Sequence, residues 1–115
     1  MPDDSLAVLK GTLEFLALRT LANRHELHGF EILDYIHRTT DQELQIEEGA
    51  LYPALHRMEK RGWVESKWGV SEKGRRARYY TLTSSGRNAL TAEEDRWARY
   101  VAAVDRLASA EGGGA

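Results

Sequence analysis

The chain has 115 residues, enough for one compact domain and one appended element, because each separate hydrophobic core needs roughly 100 residues. A composition of 42% hydrophobic and 30% charged residues, with a net charge of −2 and no cysteine, is typical of a folded globular protein and excludes disulfides and thiolate sites. Because no apolar run approaches ~18 residues and residues 1–5 are acidic, the sequence predicts a cytoplasmic protein without a membrane segment or a secretory signal.

Two helices are predicted in the first third of the chain. Apolar residues recur at helical spacing from Leu6 to about Ala22, and their wide arc favours a helix that packs on two sides. Residues 23–27 are polar and lack a period, which is typical of a connection. An amphipathic pattern then indicates a second helix from near Gly29 to near Thr39.

A third helix is predicted from about Glu48 to Arg61, after a very short strand near residues 44–46. Gly62 follows this helix where a terminating glycine is expected. One face is apolar and carries Leu51, Leu55 and Met58. The opposite face is free to make contacts and carries Gly49, Tyr52, Pro53, His56 and Lys60.

A β-hairpin with a basic tip is predicted after the third helix. Strand patterns over residues 64–68 and 77–82 flank a loop that contains two glycines. Residues 57–78 carry eight basic and three acidic side chains, so a basic segment lies within an acidic chain, as a phosphate-contacting surface requires. Three helices followed by such a hairpin form the order of a winged helix. The candidates for contact with phosphates or a narrow minor groove are Lys73, Arg75, Arg76 and Arg78.

The end of the chain predicts a long helix that pairs with a second copy. Thr83 is placed to cap this helix, and a heptad repeat of apolar residues runs along it with too little domain left to cover it. We therefore expect a homodimer, with residues 84–110 as the dimerisation helix and residues 111–115 as a flexible tail. The predicted seam consists of Leu90, Trp97, Tyr100, Val104 and Leu107.

Three segments resemble the PadR family of transcription repressors. They read HGF at residues 28–30, LYPALHRMEKRG at 51–62 and RRARYYTLTSSG at 75–86, and the resemblance spans about residues 6–108. It implies a mainly α fold with a small β-hairpin, in which residues 1–83 form a winged helix-turn-helix DNA-binding domain. It also implies a repressor that binds operator DNA as a homodimer, and twofold symmetry then requires an inverted repeat. No catalytic constellation or phosphate-binding glycine loop stands out, so we expect no enzymatic activity, cofactor or metal.

The expected DNA contacts lie on the third helix and the wing. An α-helix fits the major groove, and Tyr52, His56 and Lys60 are the candidates to reach base edges. The alternative is that Tyr52 packs against the wing and that His56 is a solvated surface residue. His28 has either a structural or a phosphate-facing role. Glu47 and Glu48 either stabilise the positive end of the helix dipole or provide one acceptor for a cytosine amino group. The full set of expected contacts is His28, Gly49, Tyr52, Pro53, His56, Arg57, Lys60, Lys73, Arg75, Arg76 and Arg78.

An effector site is implied by the similarity to small multidrug-responsive members of the family, in which a tryptophan after the wing lines a pore at the dimer centre and stacks on planar drugs. Carried onto this chain, the site would bind a planar hydrophobic molecule through Phe15, Trp97, Val101 and Val104. The alternative is a tightly packed interface without a ligand. Two other classes of function stay open: a ligand-binding dimer without DNA recognition, and a winged helix used for protein docking, which would not need Arg75, Arg76 and Arg78 together.

Overall fold

The computed structural model describes residues 6–9 and 11–114 of the chain. These residues form four helices and five strands. Their order is β1 (Leu6–Ala7), α1 (Leu13–Arg24), β2 (Glu26–His28), α2 (Gly29–Thr39), β3 (Leu44–Gln45), α3 (Glu48–Lys60), β4 (Val64–Val70), β5 (Arg76–Leu82) and α4 (Ser84–Gly114). The predicted fold class, a mainly helical winged helix-turn-helix with a long last helix, is confirmed.

One hydrophobic core lies between α1, α2, α3 and the base of the wing. Each helix turns a single apolar stripe inward, because its buried side chains recur at three- and four-residue spacing. The predicted stripe of α3 is confirmed, and the bounds of α2 and α3 agree with the prediction to within one residue. Fully buried members of the core include Leu18, Leu21, Ile32, Leu51, Leu55, Met58 and Val64.

Helix α1 begins at Leu13 and not at Leu6, so the predicted start is wrong. Gly11 adopts a φ of +86°, which a helix cannot contain. Thr12 then turns the chain, since its N–H and its hydroxyl both donate to the Leu9 carbonyl, at 3.0 and 2.7 Å. Leu6 pairs with Leu44 in a parallel ladder between β1 and β3. Apolar spacing over so few residues fits a helix and a strand equally well, and the tertiary pairing decides.

The wing is a three-stranded antiparallel sheet in the order β2-β5-β4. β4 and β5 pair along their whole length, from Val64 opposite Leu82 to Val70 opposite Arg76. β2 adds a third strand in which Leu27 lies opposite Tyr80. The predicted connection over residues 23–27 is therefore wrong at its end, because β2 takes its strand geometry from β5, far along the sequence.

Helix α4 leaves the wing at a capped start. The Thr83 hydroxyl accepts the Gly86 N–H at 3.0 Å and donates to the Gly62 carbonyl at 2.5 Å, so the predicted cap is confirmed. The helix runs to Gly114, past the predicted end at residue 110, and Ala115 lies outside the described residues. Neither α4 nor any other helix in the described part of the chain is both long and apolar enough to cross a membrane.

Candidate nucleic-acid interface

Helix α3 exposes one complete face. With its apolar stripe inside the core, the side chains on the opposite side project into solvent. A single α-helix of this kind fits the ~12 Å width of the B-DNA major groove. All the residues predicted for this face are exposed, namely Gly49, Tyr52, Pro53, His56 and Lys60.

Tyr52 rests on the start of α2. A Cβ added at Gly29 would lie 2.5 Å from Cε1 of Tyr52 and 2.7 Å from its hydroxyl oxygen, so the ring fits there only beside a glycine. The side chain stays 44% exposed. Its burial against α2, and secondly the negative charge of Glu48, raise the pKa of Tyr52. The close approach brings the HGF and LYP segments together in space, since the glycine of one segment leaves room for the tyrosine of the other.

Arg57 is engaged within the chain. Its Nε donates to Oε2 of Glu14 at 3.0 Å, which links α3 to α1. The sequence placed Arg57 among the DNA contacts, but on α3 it lies on the flank that faces α1. We therefore leave Arg57 out of the interface that we propose below.

His28 is the N-cap residue of α2. Its Nδ1 accepts the N–H of Glu31 at 3.3 Å, and Oε1 of Glu31 accepts the N–H of His28 at 3.0 Å, so the two form a capping box. The imidazole also meets the ring of Tyr79 edge-on, with 5.3 Å between centroids. Of the two roles expected for His28, these contacts support the structural one.

The acidic residues at the start of α3 lie at the positive end of its dipole. Glu47 is the N-cap residue, in extended conformation and without a side-chain capping bond, and Glu48 lies in the first turn. Both are exposed. A carboxylate at a helix N-terminus is stabilised by the unpaired N–H groups there, which supports the first of the two roles expected for these residues.

The tip of the wing is a tight turn that presents two cations. The Ser71 N–H donates to the Arg75 carbonyl at 2.7 Å, and Gly74 makes the turn possible with a φ of +74°. Lys73 and Arg75 are both exposed on this turn, next to Glu72. The predicted basic tip is thus present, although one carboxylate accompanies it.

Arg78 connects the wing to α3. Its Nη2 lies 3.6 Å from Oε2 of Glu59, and its Nε donates to the hydroxyl of Ser66 at 2.8 Å. Ser66 in turn donates to Oε2 of Glu59 at 2.7 Å. Arg78, which the sequence placed among the DNA contacts, is therefore bound to a carboxylate of its own chain.

Trp68 lies beside two arginines on the inner side of the wing. The Cζ atom of Arg76 is 4.3 Å from the centroid of the indole and that of Arg78 is 5.2 Å from it, both within cation–π range. The indole is nevertheless 54% exposed. The strand pattern predicts Trp68 on a strand but assigns it no function. The signal that could have found it is the register, which sets Trp68 opposite the arginine-rich strand β5.

Charge pairing divides the basic side chains of this surface into two groups. Arg57 and Arg78 are paired with Glu14 and Glu59. Lys67, on the other face of the wing, is paired with Glu26. Within residues 6–9 and 11–114, no ion pair involves the four other cations predicted to contact DNA. These uncompensated cations, which we call the free cations, are Lys60, Lys73, Arg75 and Arg76.

The outer part of α4 carries an exposed apolar stripe. Trp97 is 40% exposed and joins Phe15 of α1 and Tyr100, with ring centroids 6.4 and 6.0 Å away. Val101, Val104 and Leu107 continue the stripe in solvent. Leu90 was predicted to belong to it, but it is 6% exposed and packs in the core of its own chain, because the first turns of α4 dock on the domain. The stripe consists of Trp97, Tyr100, Val101, Val104 and Leu107.

Comparison with known proteins finds the same fold in transcriptional regulators. The sequence model of the transcriptional regulator PadR-like family matches residues 18–92. A transcriptional regulator of Mycobacterium tuberculosis is 39% identical over 72 residues, which cover 63% of this chain and 62% of that protein. The structure of a transcriptional regulator from Clostridium thermocellum superposes with a TM-score of 0.76 at 28% identity, covering 84% of this chain and 90% of that one. Bacillus subtilis PadR, solved in complex with operator DNA, gives a TM-score of 0.63 at 25% identity over 70% of this chain and 45% of that one.

Proposed function

This chain belongs to the PadR-like family of transcriptional regulators, and from that premise we propose that it is a repressor that binds an inverted-repeat operator as a homodimer. The similar fold of Bacillus subtilis PadR, which was solved in complex with operator DNA, supports DNA binding by this chain. Each protomer would place α3 in the major groove and the wing beside it, and repression would follow from occlusion of a promoter. As a regulator of this family the protein is not an enzyme.

The observation that carries the proposal is the position of the free cations around the exposed face of α3. Lys60 lies on that face, and the other three lie on the wing strand and tip that Arg78 ties to α3 through Glu59. Each phosphate neutralised in B-DNA contributes about −0.9 to the slope of log affinity against log salt concentration. Four contacts in each protomer of a dimer therefore predict a slope of roughly −7.

A duplex-binding titration at several salt concentrations tests DNA binding. We expect random duplex to bind at low salt, and the triple variant Lys73→Gln, Arg75→Gln and Arg76→Gln to reduce the slope to roughly −2. The matched control removes the same charge from α4, with Arg96→Gln, Arg99→Gln and Arg106→Gln, and should leave the slope unchanged. If the wild type binds no duplex at any ionic strength, a protein-docking module becomes the better interpretation. If the two triple variants have equal slopes, the wing does not belong to the DNA interface.

Homodimerisation is supported by the exposed stripe of α4. Large apolar side chains rarely line one side of an isolated helix in solvent, because covering them with a second helix removes apolar area from water. A twofold axis through this stripe would hold two α3 helices at a fixed separation. The operator would then consist of two half-sites about one helical turn apart, which footprinting upstream of the chain's own gene can locate.

A specific observation also favours an effector site, as a finer part of the same proposal. The rings of Phe15, Trp97 and Tyr100 form a partly exposed cluster where α1 meets α4, and the stripe would place two such clusters near the dimer axis. A planar aromatic molecule bound there would change the packing of α1 on α4 and hence the spacing of the α3 helices. Coupling of ~1–3 kcal/mol suffices to weaken operator binding severalfold.

Titration with a planar aromatic dye such as acridine orange tests the effector site. We expect saturable binding of the dye to the wild type, measured by the polarisation of the dye's own fluorescence. Trp97→Ala should lose this binding, and the dye should release operator from the wild type but not from Trp97→Ala. A Trp97→Phe variant serves as the control, since it keeps an aromatic surface. Dye binding and operator release that survive in Trp97→Ala would favour the packed interface without a ligand.

A further inference from the structure

Five side chains form a continuous series of contacts from α3 to the outer part of the wing. Glu59 of α3 holds Arg78 at 3.6 Å, and Ser66 bonds to both of them. Arg78 lies 5.2 Å from the Trp68 indole, and Arg76 lies 4.3 Å from the same ring. The series therefore begins on the helix proposed to enter the major groove and ends at an arginine with no ion pair among the described residues.

The strand register explains why these groups meet. Trp68 lies directly opposite Arg78 in the β4–β5 ladder, and Arg76 is the diagonal neighbour of Trp68 on the same face of the sheet. That face is the one that turns Val64 and Tyr80 into the core nearer its base. The series thus lies on the side of the wing that faces α3.

An exposed indole at this position needs a reason, because tryptophan is among the most costly side chains to leave in water. The core stops at Tyr80, so the indole is not required to complete it. What the ring does contact is the pair of guanidinium groups, which aromatic faces attract electrostatically. A long arginine side chain held against a ring loses rotamer freedom before it binds a partner, so less is lost on binding.

We propose that Trp68 is a positioning residue for Arg76. The indole holds the guanidinium of Arg76 on the α3 side of the wing, where it meets the DNA backbone or a narrow minor groove, and Arg78 serves as the anchor of the indole and not as a DNA contact. This inference rests on the proposed function. It divides two arginines that the sequence treats alike: Arg76 neutralises a phosphate, whereas Arg78 already faces Glu59.

A double-mutant cycle on duplex affinity tests the coupling of Trp68 to Arg76. We expect Trp68→Ala to weaken binding by the dimer about tenfold, with the salt slope changed little, because the charges remain. Arg76→Gln should weaken binding and also make the slope less steep by about 2 for a dimer. In the Arg76→Gln background, adding Trp68→Ala should cost less than twofold, since the group that it positions is gone. An undiminished tenfold cost there would overturn the proposal, because the indole would then act on DNA by itself or support the whole wing.

Two conservative variants distinguish the effect of the aromatic ring from that of apolar volume. Trp68→Phe keeps a π face and should bind within about twofold of wild type, whereas Trp68→Leu should resemble Trp68→Ala. If Trp68→Ala does not fold, the comparison of the Phe and Leu variants still tests the proposal. Equal affinities for the Phe and Leu variants would overturn the proposal.

The anchoring role of Arg78 has its own readout. Arg78→Gln should weaken binding without changing the salt slope, and a change of slope equal to that of Arg76→Gln would overturn the division between the two arginines. Wild-type binding to duplex is the internal reference in all of these measurements. If the wild type binds and the cycle is additive, the inference alone is wrong; if the wild type binds no duplex, the proposed function fails and the inference with it.

Discussion

At the scale of single residues, the contact between Gly29 and Tyr52 gives a sharp prediction. In Gly29→Ala the new methyl group would collide with the ring at 2.5 Å, and the ring must leave its place on α2. We expect unfolding free energy to fall by about 1 kcal/mol, at the low end for overpacking because the partly exposed ring can move. The pKa of Tyr52 should fall toward the ordinary value of 10.0, since burial is the main cause that raises it. Urea unfolding and NMR titration of labelled tyrosine rings measure the two effects.

Gly49 provides the matched control for Gly29. A Cβ at Gly49 meets no atom within 4 Å, and the residue lies in the first turn of α3. Gly49→Ala should therefore raise the unfolding free energy by about 0.5–1 kcal/mol through helix propensity alone. If both alanine variants changed stability in the same direction, the close approach of Tyr52 to Gly29 would not exist in solution.

Alkaline pH should weaken folding through Tyr80. Burial, and secondly the nearby carboxylate of Glu59, raise the pKa of this tyrosine above 10.0, while Arg78 opposes the shift. A group whose pKa is higher in the folded than in the unfolded chain contributes its full stability at a pH below its unfolded-state pKa. That stability is lost as the pH rises through its folded-state pKa. We expect the urea midpoint to decline above about pH 10, and Tyr80→Phe to decline less steeply. Parallel pH profiles for the two proteins would contradict the assignment.

At the scale of secondary-structure elements, the docking of α4 depends on Gly86. A Cβ at this position would lie 2.0 Å from the carbonyl oxygen of Trp63, a backbone atom that cannot swing aside. Gly86→Ala should therefore cost about 3 kcal/mol or more in urea unfolding, in the range of severe overpacking. Ser85→Ala, at the exposed neighbouring position, should change stability by less than about 0.5 kcal/mol. A Gly86→Ala protein as stable as wild type would mean that α4 does not pack on the turn after α3 in this way.

The elements that the sequence predicts well are those whose signals are local. Helices α2 and α3 each carry a complete amphipathic period, and Gly62, with a φ of +77°, marks the end of α3 in the sequence as it does in the structure. The start of α1 and the strand β2 were predicted wrongly because both depend on distant pairing. β1 is a strand because it pairs with β3, and β2 is a strand because it pairs with β5, so neither can be inferred from its own few residues.

In the candidate interface too, the features that the sequence predicts well are those with local signals. The basic segment and the free face of α3 follow from composition and helical period, and both are present. The pairing of Arg57 with Glu14, across 43 residues of sequence, and of Arg78 with Glu59 depends on how the elements pack. Charge counting along the chain therefore overestimated the number of uncompensated cations. Trp68 was missed for the related reason that its neighbours belong to the opposite strand.

At the scale of the whole molecule, the proposed repressor requires the stripe of α4 to pair two protomers. Val104 lies on that stripe, and Ala102 is exposed on the other side of the helix, since two residues correspond to about 200° of rotation. Val104→Glu would bury two unpaired carboxylates at the seam, and each such charge costs ~3–5 kcal/mol. We expect the dissociation constant of the dimer to rise by about 100-fold or more in sedimentation velocity, whereas Ala102→Glu should stay dimeric.

Loss of the dimer should also appear in DNA binding, which links the two ends of the molecule. A Val104→Glu monomer retains all four free cations of one protomer, so it should still bind duplex, but its salt slope should halve from roughly −7 to roughly −3.5. Its preference for an inverted repeat over a single half-site should vanish, because one α3 helix reads one half-site. A dimeric Val104→Glu protein together with a monomeric Ala102→Glu protein would show that α4 pairs through its opposite face, and the spacing of the α3 helices proposed from the stripe would then be wrong.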